Sequence, residues 1–338
     1  MISLSIIIPV YKVEKYIRRC LESVIAQEDS GVEMECIVID DRGPDNSMKI
    51  VYDVIGNYHG SIDFKVVVHE KNRGVAAGRN TGAKMAKGFF LMFIDSDDYL
   101  KPGCVMSLLS ASKDYPQADV VIGQFYSVRD QKTSYEYLSK PVFFNDRDVI
   151  RRNFLRVILD CFPWNRLLRR SLIVDNQLFF QEGTIFEDVI WSYHLFDKVN
   201  AVLLIPDVTY VYENNPTSAM NSTRQKATAT VRSFVFFCNE MLDQPYNNMY
   251  VDHHLYVFNI LMKAVDTSMQ AAIASEVSSA LKQVRKRLFF ETLKSGRILL
   301  SVYFLTAFPP FNNILRLTWF RYHFDKIGSV IGHLTVKK

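Results

Sequence analysis

The sequence predicts an α/β fold, a sheet flanked by helices, followed by a C-terminal helical region. Three observations carry this. Short apolar runs rich in β-branched residues alternate with helix-period stretches through the first 125 residues. Acidic or polar turns follow those runs at Pro9-Val10-Tyr11, Asp40-Asp41 and Asp95-Ser96-Asp97. From about Thr223 onward only helical patterning remains, which places a boundary near residue 220 and divides the chain into a first domain, 1–220, and a helical region, 221–338.

Ile6-Ile7-Ile8 reads as the first strand. Tyr16, Ile17, Cys20, Leu21, Val24 and Ile25 then form one face of a helix. Cys36–Asp40 is the second strand, and Asp45 or Asn46 caps a helix carrying Met48, Val51, Val54 and Ile55. Phe64–Val68 reads as a third, buried strand. Gly74, Gly78 and Gly82, four apart, make a smooth stripe if helical. Each costs up to about 1 kcal/mol of helix propensity, which implies close approach to backbone or ligand. Phe89–Ile94 is a fourth strand and Val120–Gln124 a fifth. Phe125–Asn145 is polar and irregular, Asp146–Asp160 helical, and Pro163–Arg166 a tight aromatic turn. Glu187–Val199 is helix-like, and Val202–Ile205 and Thr209–Tyr212 read as two further strands.

Composition narrows the function. The chain has 338 residues, 49% apolar and 22% charged, enough for one or two domains with a large core and unlike a disordered chain. Its five cysteines are scattered without zinc-ligand spacing, which fits a reducing compartment. Met1 leads almost directly into the first strand, so the expectation is a cytoplasmic protein without a secretion signal. Residues 281–338 hold eleven Lys or Arg against two Asp or Glu, a net +9 in a chain of net +4, so residues 1–280 carry −5. This basic tail also carries ten Phe, Tyr or Trp between Phe289 and Phe324. One reading is peripheral attachment to an anionic membrane face, and the other is aromatics packed on a helical core. A nucleic-acid partner is not expected, because no binding motif is present and most of the chain is acidic.

In an open α/β sheet, ligands settle outside the carboxyl ends of the strands. Asp95 and Asp97, one residue apart on a turn after a strand, can share Mg²⁺ or Mn²⁺ with diphosphate oxygens. Such a pair alone is more often a solvated loop. Asp41 can accept from a base N–H or hold a turn, Tyr11 can stack on a base, and Arg79 can balance Asp41 or a donor's charge. Glu187 and Asp188 open a helix whose dipole favours ionised carboxylates. Adjacent helical residues diverge, so one of the two serves as base for an acceptor hydroxyl. A dinucleotide-dependent oxidoreductase is disfavoured, because Pro9–Glu14 contains no glycine. A nucleotide-sugar-binding protein with a decayed site is the remaining alternative, and the intact carboxylates argue against it.

These segments resemble the inverting family 2 glycosyltransferases of the GT-A fold over about residues 3–215. The likeness lies in Ser5-Ile-Ile-Ile-Pro-Val-Tyr11, Val38-Ile-Asp-Asp-Arg-Gly-Pro-Asp-Asn-Ser47, Asn72 through Gly82, Phe93-Ile-Asp-Ser-Asp-Asp98, Trp164-Asn-Arg-Leu167 and Phe186-Glu-Asp188. The last two match capsule and lipopolysaccharide members. The resemblance implies a nucleotide pocket lined by Pro9, Tyr11, Glu14, Asp41, Arg79, Asp95 and Ser96. It further implies a Mn²⁺ or Mg²⁺ site at Asp95 and Asp97, and Asp188 as base. Trp164, Asn165 and Glu187 would face the donor sugar or acceptor. The implied donor is a nucleotide sugar, with uridine as the guess, and the acceptor a saccharide or polyprenol-linked saccharide. Two departures stand out: Lys12 where the family has Asn, and Arg42-Gly43 in place of Gly-Ser.

Overall fold

A computed structural model describes residues 2–213, 215, 224–244 and 249–296, and the chain groups into two compact units. The first comprises Met1–Ile150 and Cys161–Asn221, the second Arg151–Asp160 and Ser222–Lys338.

The first unit is built on one mixed sheet. Its strands are β1 (Leu4–Val10), β2 (Met34–Asp40), β3 (Asp63–Val68), β4 (Phe90–Phe93), β5 (Tyr99–Leu100), β6 (Val120–Ser127), β7 (Lys132–Thr133), β8 (Val142–Phe144), β9 (Arg166–Arg169) and β10 (Val202–Tyr212). They lie in the order β3-β2-β1-β4-β9-β6-β10-β5, with β7 on β6 and β8 on β10. β1, β2, β3 and β4 are mutually parallel, whereas β9 runs antiparallel between β4 and β6. Every residue of β1 and β2 is buried, which is why both read as unbroken apolar runs rather than alternating ones. The expectation of a buried β3 needs correcting: it is the edge strand and its residues are exposed or half-buried.

The chain runs outward from β1 through β2 and β3, then returns to β4 on the other side of β1. That reversal opens a crevice beyond the carboxyl ends of β1 and β4. Helices α1 (Ile17–Ile25), α2 (Ser47–Gly56), α3 (Val75–Met85), α4 (Cys104–Asp114), α5 (Arg147–Leu155), α6 (Arg170–Asp175) and α7 (Glu187–Lys198) complete the set up to β10. Of the glycine stripe, Gly78 and Gly82 lie in α3 against β1, whereas Gly74 precedes the helix at a φ of 86° with open space at its β-carbon position. A β-carbon at Gly82 would meet Ile7 Cγ2 and one at Gly78 would stand 2.9 Å from Pro9 Cβ. Absence of side chains at Gly78 and Gly82 lets α3 approach the strand, so these two glycines serve close packing of helix on strand.

Several other elements depart from expectation. Val202–Ile205 and Thr209–Tyr212 are one strand, β10, whose register against β6 shifts between Leu204 and Val208 and again before Tyr210. The helix expected to reach Asp160 ends at Leu155, and Val157 stands at a φ of 58°. Arg166, expected at the end of a turn, begins β9.

The second unit holds α8 (Arg224–Leu242), α9 (Tyr250–Gln270) and α10 (Ala274–Lys294). Val231, Phe237, Val257, Leu261 and Leu288 are fully buried, and Arg156 pairs with Asp252 at 2.9 Å. Of the basic tail, residues 281–296 belong to α10 and the turn after it, and 297–338 lie outside the described residues. Among the described residues no helix is long and apolar enough to cross a membrane.

Candidate active site

The crevice floor is made by the turns after β1, β2 and β4. Tyr11 leaves β1 with 41% of its surface exposed, and Pro9 beneath it is buried under α3. Glu14 faces the start of α2, where its Oε2 accepts from the Asn46 backbone N–H at 3.0 Å and the Asn46 amide at 3.2 Å. Asn46 is the residue preceding α2 but makes no cap of its own; Asp45 Oδ1 takes the Ser47 N–H at 3.3 Å.

Asp41 is buried, and its two carboxylate oxygens accept the backbone N–H groups of Arg73 and Gly74, each at 2.8 Å. His69 Nδ1 lies 2.8 Å from Asp41 Oδ1. Of the two uses read from the sequence, holding a turn is the one recorded: Asp41 fastens the loop that enters α3.

The turn after β4 carries three carboxylates in four residues. Asp98 is buried, accepts from the Tyr210 hydroxyl at 2.7 Å and from the Glu213 N–H at 2.8 Å, and is pushed well up by burial and by Asp97 and Asp95. Tyr210 Oη in turn accepts the Asp95 N–H at 3.2 Å. Asp98 thus anchors the turn rather than facing the crevice. Asp97 Oδ2 accepts from the Asn215 amide at 2.8 Å, and burial, then the charge of Asp95, raises its carboxyl. Ser96 between them is buried.

Arg79 joins this turn to the start of α7. Its guanidinium, 4% exposed, donates to Asp95 Oδ1 and to Glu187 Oε1, both at 2.6 Å, and lies over the Phe180 ring at 5.2 Å. Asn80 beside it clamps the Phe180 backbone with bonds of 2.9 and 2.7 Å. Of the two charges read for Arg79, that of Asp41 or of a donor, Asp41 is not its partner: the side chain leaves α3 toward Asp95 and Glu187, and those two charges hold the guanidinium protonated.

Phe186, which precedes α7, has a φ of 60°, a strained conformation for a bulky residue that aims Glu187 and Asp188 from the helix start. Asp188 is half-buried, accepts the Val189 N–H at 3.0 Å and receives the Cys161 thiol at 3.8 Å. Burial first and Glu187 second push its carboxyl from 3.8 up to about 7, against the pull of Arg79. The helix dipole, expected to favour the ionised form, is worth about 0.3–1 kcal/mol and is outweighed. A carboxyl that titrates near neutrality can both take and hold a proton at working pH.

Two predicted residues sit elsewhere than the resemblance implied. Trp164 is buried in an aromatic stack, parallel to Phe162 at 4.6 Å, Tyr210 at 4.8 Å and Tyr212 at 5.5 Å. Asn165 is buried at a φ of 58°, donates to Gly123 O at 2.7 Å and accepts from Thr209 Oγ1 at 2.6 Å. Its amide staples β6 to β10, so it supports the sheet instead of facing a sugar. No sequence pattern singles out Tyr210, His69, Asn215 or Cys161 for these contacts. Only Asp98, inside the acidic run, had a visible signal.

Among the described residues no group of three or more His, Cys, Asp or Glu side chains forms a cage for a metal ion. A Mg²⁺-type cation needs less from protein, commonly one or two carboxylates with substrate phosphates supplying the rest. Asp95 and Asp97 fit that demand: both are carboxylates one residue apart on the turn after β4, where burial, then the charge of Asp95, raises the Asp97 carboxyl.

This mixed sheet, with its crevice at the reversal and acidic turn after the fourth strand, defines a GT-A architecture. Residues 5–175 match the family described as Glycosyl transferase family 2, and the chain belongs to that family. It is 29% identical over 225 residues to the uncharacterized glycosyltransferase EpsJ of Bacillus subtilis, a match covering 63% of this chain and 62% of EpsJ. It is 28% identical over 214 residues to the poly(ribitol-phosphate) beta-N-acetylglucosaminyltransferase TarS of Staphylococcus aureus, covering 63% of this chain and 35% of TarS. The matched stretch is thus less than two thirds of either relative. The crystal structure of S. aureus TarS 1-349 with UDP-GlcNAc superposes with a TM-score of 0.60 at 20% identity, covering 88% of this chain and 93% of that one. Mannosyltransferase PcManGT from Pyrobaculum calidifontis, in complex with GDP-Man and Mn²⁺, gives 0.53 at 15% identity, covering 99% and 88%.

Proposed function

We propose that this chain transfers a hexose-type sugar from a nucleotide-diphosphate donor to a hydroxyl of a saccharide or lipid-linked saccharide, inverting the anomeric carbon, during synthesis of a surface polysaccharide. The observation that carries the reading is the Arg79 guanidinium, which gathers Asp95 and Glu187 beside a carboxyl, Asp188, raised to about 7. Asp188 takes the proton of the acceptor hydroxyl as that oxygen attacks the anomeric carbon and the bond to the nucleotide diphosphate breaks. Asp95 and Asp97 would hold Mn²⁺ or Mg²⁺, which neutralises charge developing on the departing diphosphate. Tyr11, with Pro9 behind it, offers a stacking face to the base, and Ser96 and Glu14 flank the nucleotide.

The relatives support donor and acceptor class. TarS is named for a poly(ribitol-phosphate) acceptor, and its structure holds UDP-GlcNAc. Residues 1–220 form the catalytic domain in this reading and 221–338 a helical region that meets the cytoplasmic membrane face. Lys282, Lys286, Phe290 and Leu293 are exposed on α10, mixing cations with apolar groups at the start of the basic tail. A thermal-shift screen of nucleotide sugars with and without Mn²⁺ tests the proposal. Stabilisation by a nucleotide sugar, lost in EDTA, supports it; no response to any of them contradicts it.

A further inference from the structure

Two residues at the nucleotide end of the crevice have no part in the chemistry above. Lys12 and Arg42, on the turns after β1 and β2, both hold the left-handed backbone, at φ 55° and 58°. Glycine or asparagine takes that conformation with little strain, whereas long side chains rarely occupy it. Strained positions of this kind gather where the side chain has work to do. The two turns abut: a β-carbon at Gly43 would stand 2.9 Å from Lys12 N and 3.4 Å from Tyr11 Cα. Lys12 and Arg42 are thereby fixed beside each other and beside Tyr11.

Their hydrogen-bonding capacity is not used up. Arg42 Nε donates to His69 O at 2.7 Å and Nη1 lies 4.0 Å from Asp40 Oδ2, which leaves Nη2 and a side chain 54% exposed. The Lys12 ammonium lies 5.4 Å from the Tyr11 ring centroid and pairs with no carboxylate among the described residues. Both side chains are donor-only. The Tyr11 ring offers a stacking face that every base can use, so stacking does not discriminate. Discrimination falls to whatever borders that ring, where the carboxylates of Glu14 and Asp41 are engaged by Asn46 and by the Arg73 and Gly74 N–H groups, and Lys12 and Arg42 present donors.

We infer that Lys12 and Arg42 select donors whose base carries a keto oxygen at pyrimidine C4 or purine C6, uracil and guanine, over cytosine and adenine, which carry an amino group at that position. A donor-only cation bonds a keto oxygen and leaves an amino N–H without an acceptor. This rests on the glycosyltransferase reading and deepens it by naming the residues that choose the nucleotide.

Isothermal titration of UDP, GDP, CDP and ADP, each with Mn²⁺, tests it on the full chain and on Lys12→Asn, Arg42→Gly and the double variant. Both replacements suit left-handed backbone, and thermal unfolding verifies that the variants fold. The wild-type protein should bind UDP and GDP about tenfold or more tighter than CDP and ADP, the size expected of a hydrogen bond from a charged donor. In the double variant that preference should collapse through weaker UDP and GDP binding, with CDP and ADP nearly unchanged. Equal weakening of all four would mean that the cations merely attract diphosphate, and would overturn the inference, as would a wild-type protein indifferent to the base. Binding of none of the four would instead overturn the glycosyltransferase reading itself.

Discussion

Replacing Glu187 by Gln should move the acid limb of the pH–rate profile toward lower pH. As the proposed base, Asp188 must be ionised to take the acceptor's proton, so kcat/KM should fall below pH about 7 in the native enzyme. After burial, the charge of Glu187 is the largest influence holding that value up. Neighbouring carboxylates in the first turn of one helix, at an effective dielectric of about 20, repel by about 1–2 kcal/mol, or about one pH unit. Removing Glu187's charge also leaves Arg79 with only Asp95 to balance it, which favours ionised Asp188 further. Both effects have the same sign. At pH 6 the native enzyme should retain about a tenth of its plateau and the variant about half. The assay is release of nucleotide diphosphate from limiting donor with acceptor saturating, from pH 5 to 9, comparing the shape of each curve rather than its height. An acid limb that stays in place, or moves to higher pH, would refute the reasoning.

Arg79→Ala leaves Asp95 and Glu187 without their shared cation in a buried position, a loss of about 3–5 kcal/mol. Calorimetry should show Tm lowered by about 6–20 °C, and a drop under about 2 °C would contradict the ion triad as a structural tie. The full chain should float with phosphatidylglycerol vesicles at low salt, and Lys282→Glu with Lys286→Glu should weaken that binding. No flotation at low salt would reject membrane attachment.

The legible parts of the fold were those where local pattern and tertiary role coincide. β1 and β2 announce themselves as apolar runs because both faces are buried, and α1 because Ile17, Cys20, Leu21 and Val24 share one face. β9 was hidden: Arg-Leu-Leu-Arg has charged ends and only four residues, and pairing with β4 and β6 makes it a strand. α4 had a signal, since Cys104, Val105, Leu108, Leu109 and Ser112 keep helical spacing, but its serines diluted the apolar count. In the site, spacing could nominate Asp95, Asp97, Glu187 and Asp188 but not say what each would touch. Arg79's choice of Glu187, 108 residues away, and Asp98's capture by Tyr210, 112 away, depend on contacts that no local pattern encodes. Trp164 and Asn165 show the converse, motif residues whose chemistry is consumed by packing.

In the proposed reaction Asp188 is the group that receives the acceptor's proton. Asp188→Asn keeps the shape of the side chain and removes its basicity. The variant should bind the nucleotide sugar as the native enzyme does, by titration calorimetry, while sugar transfer falls at least about a hundredfold. Transfer at the native rate, with donor binding intact, would contradict the account.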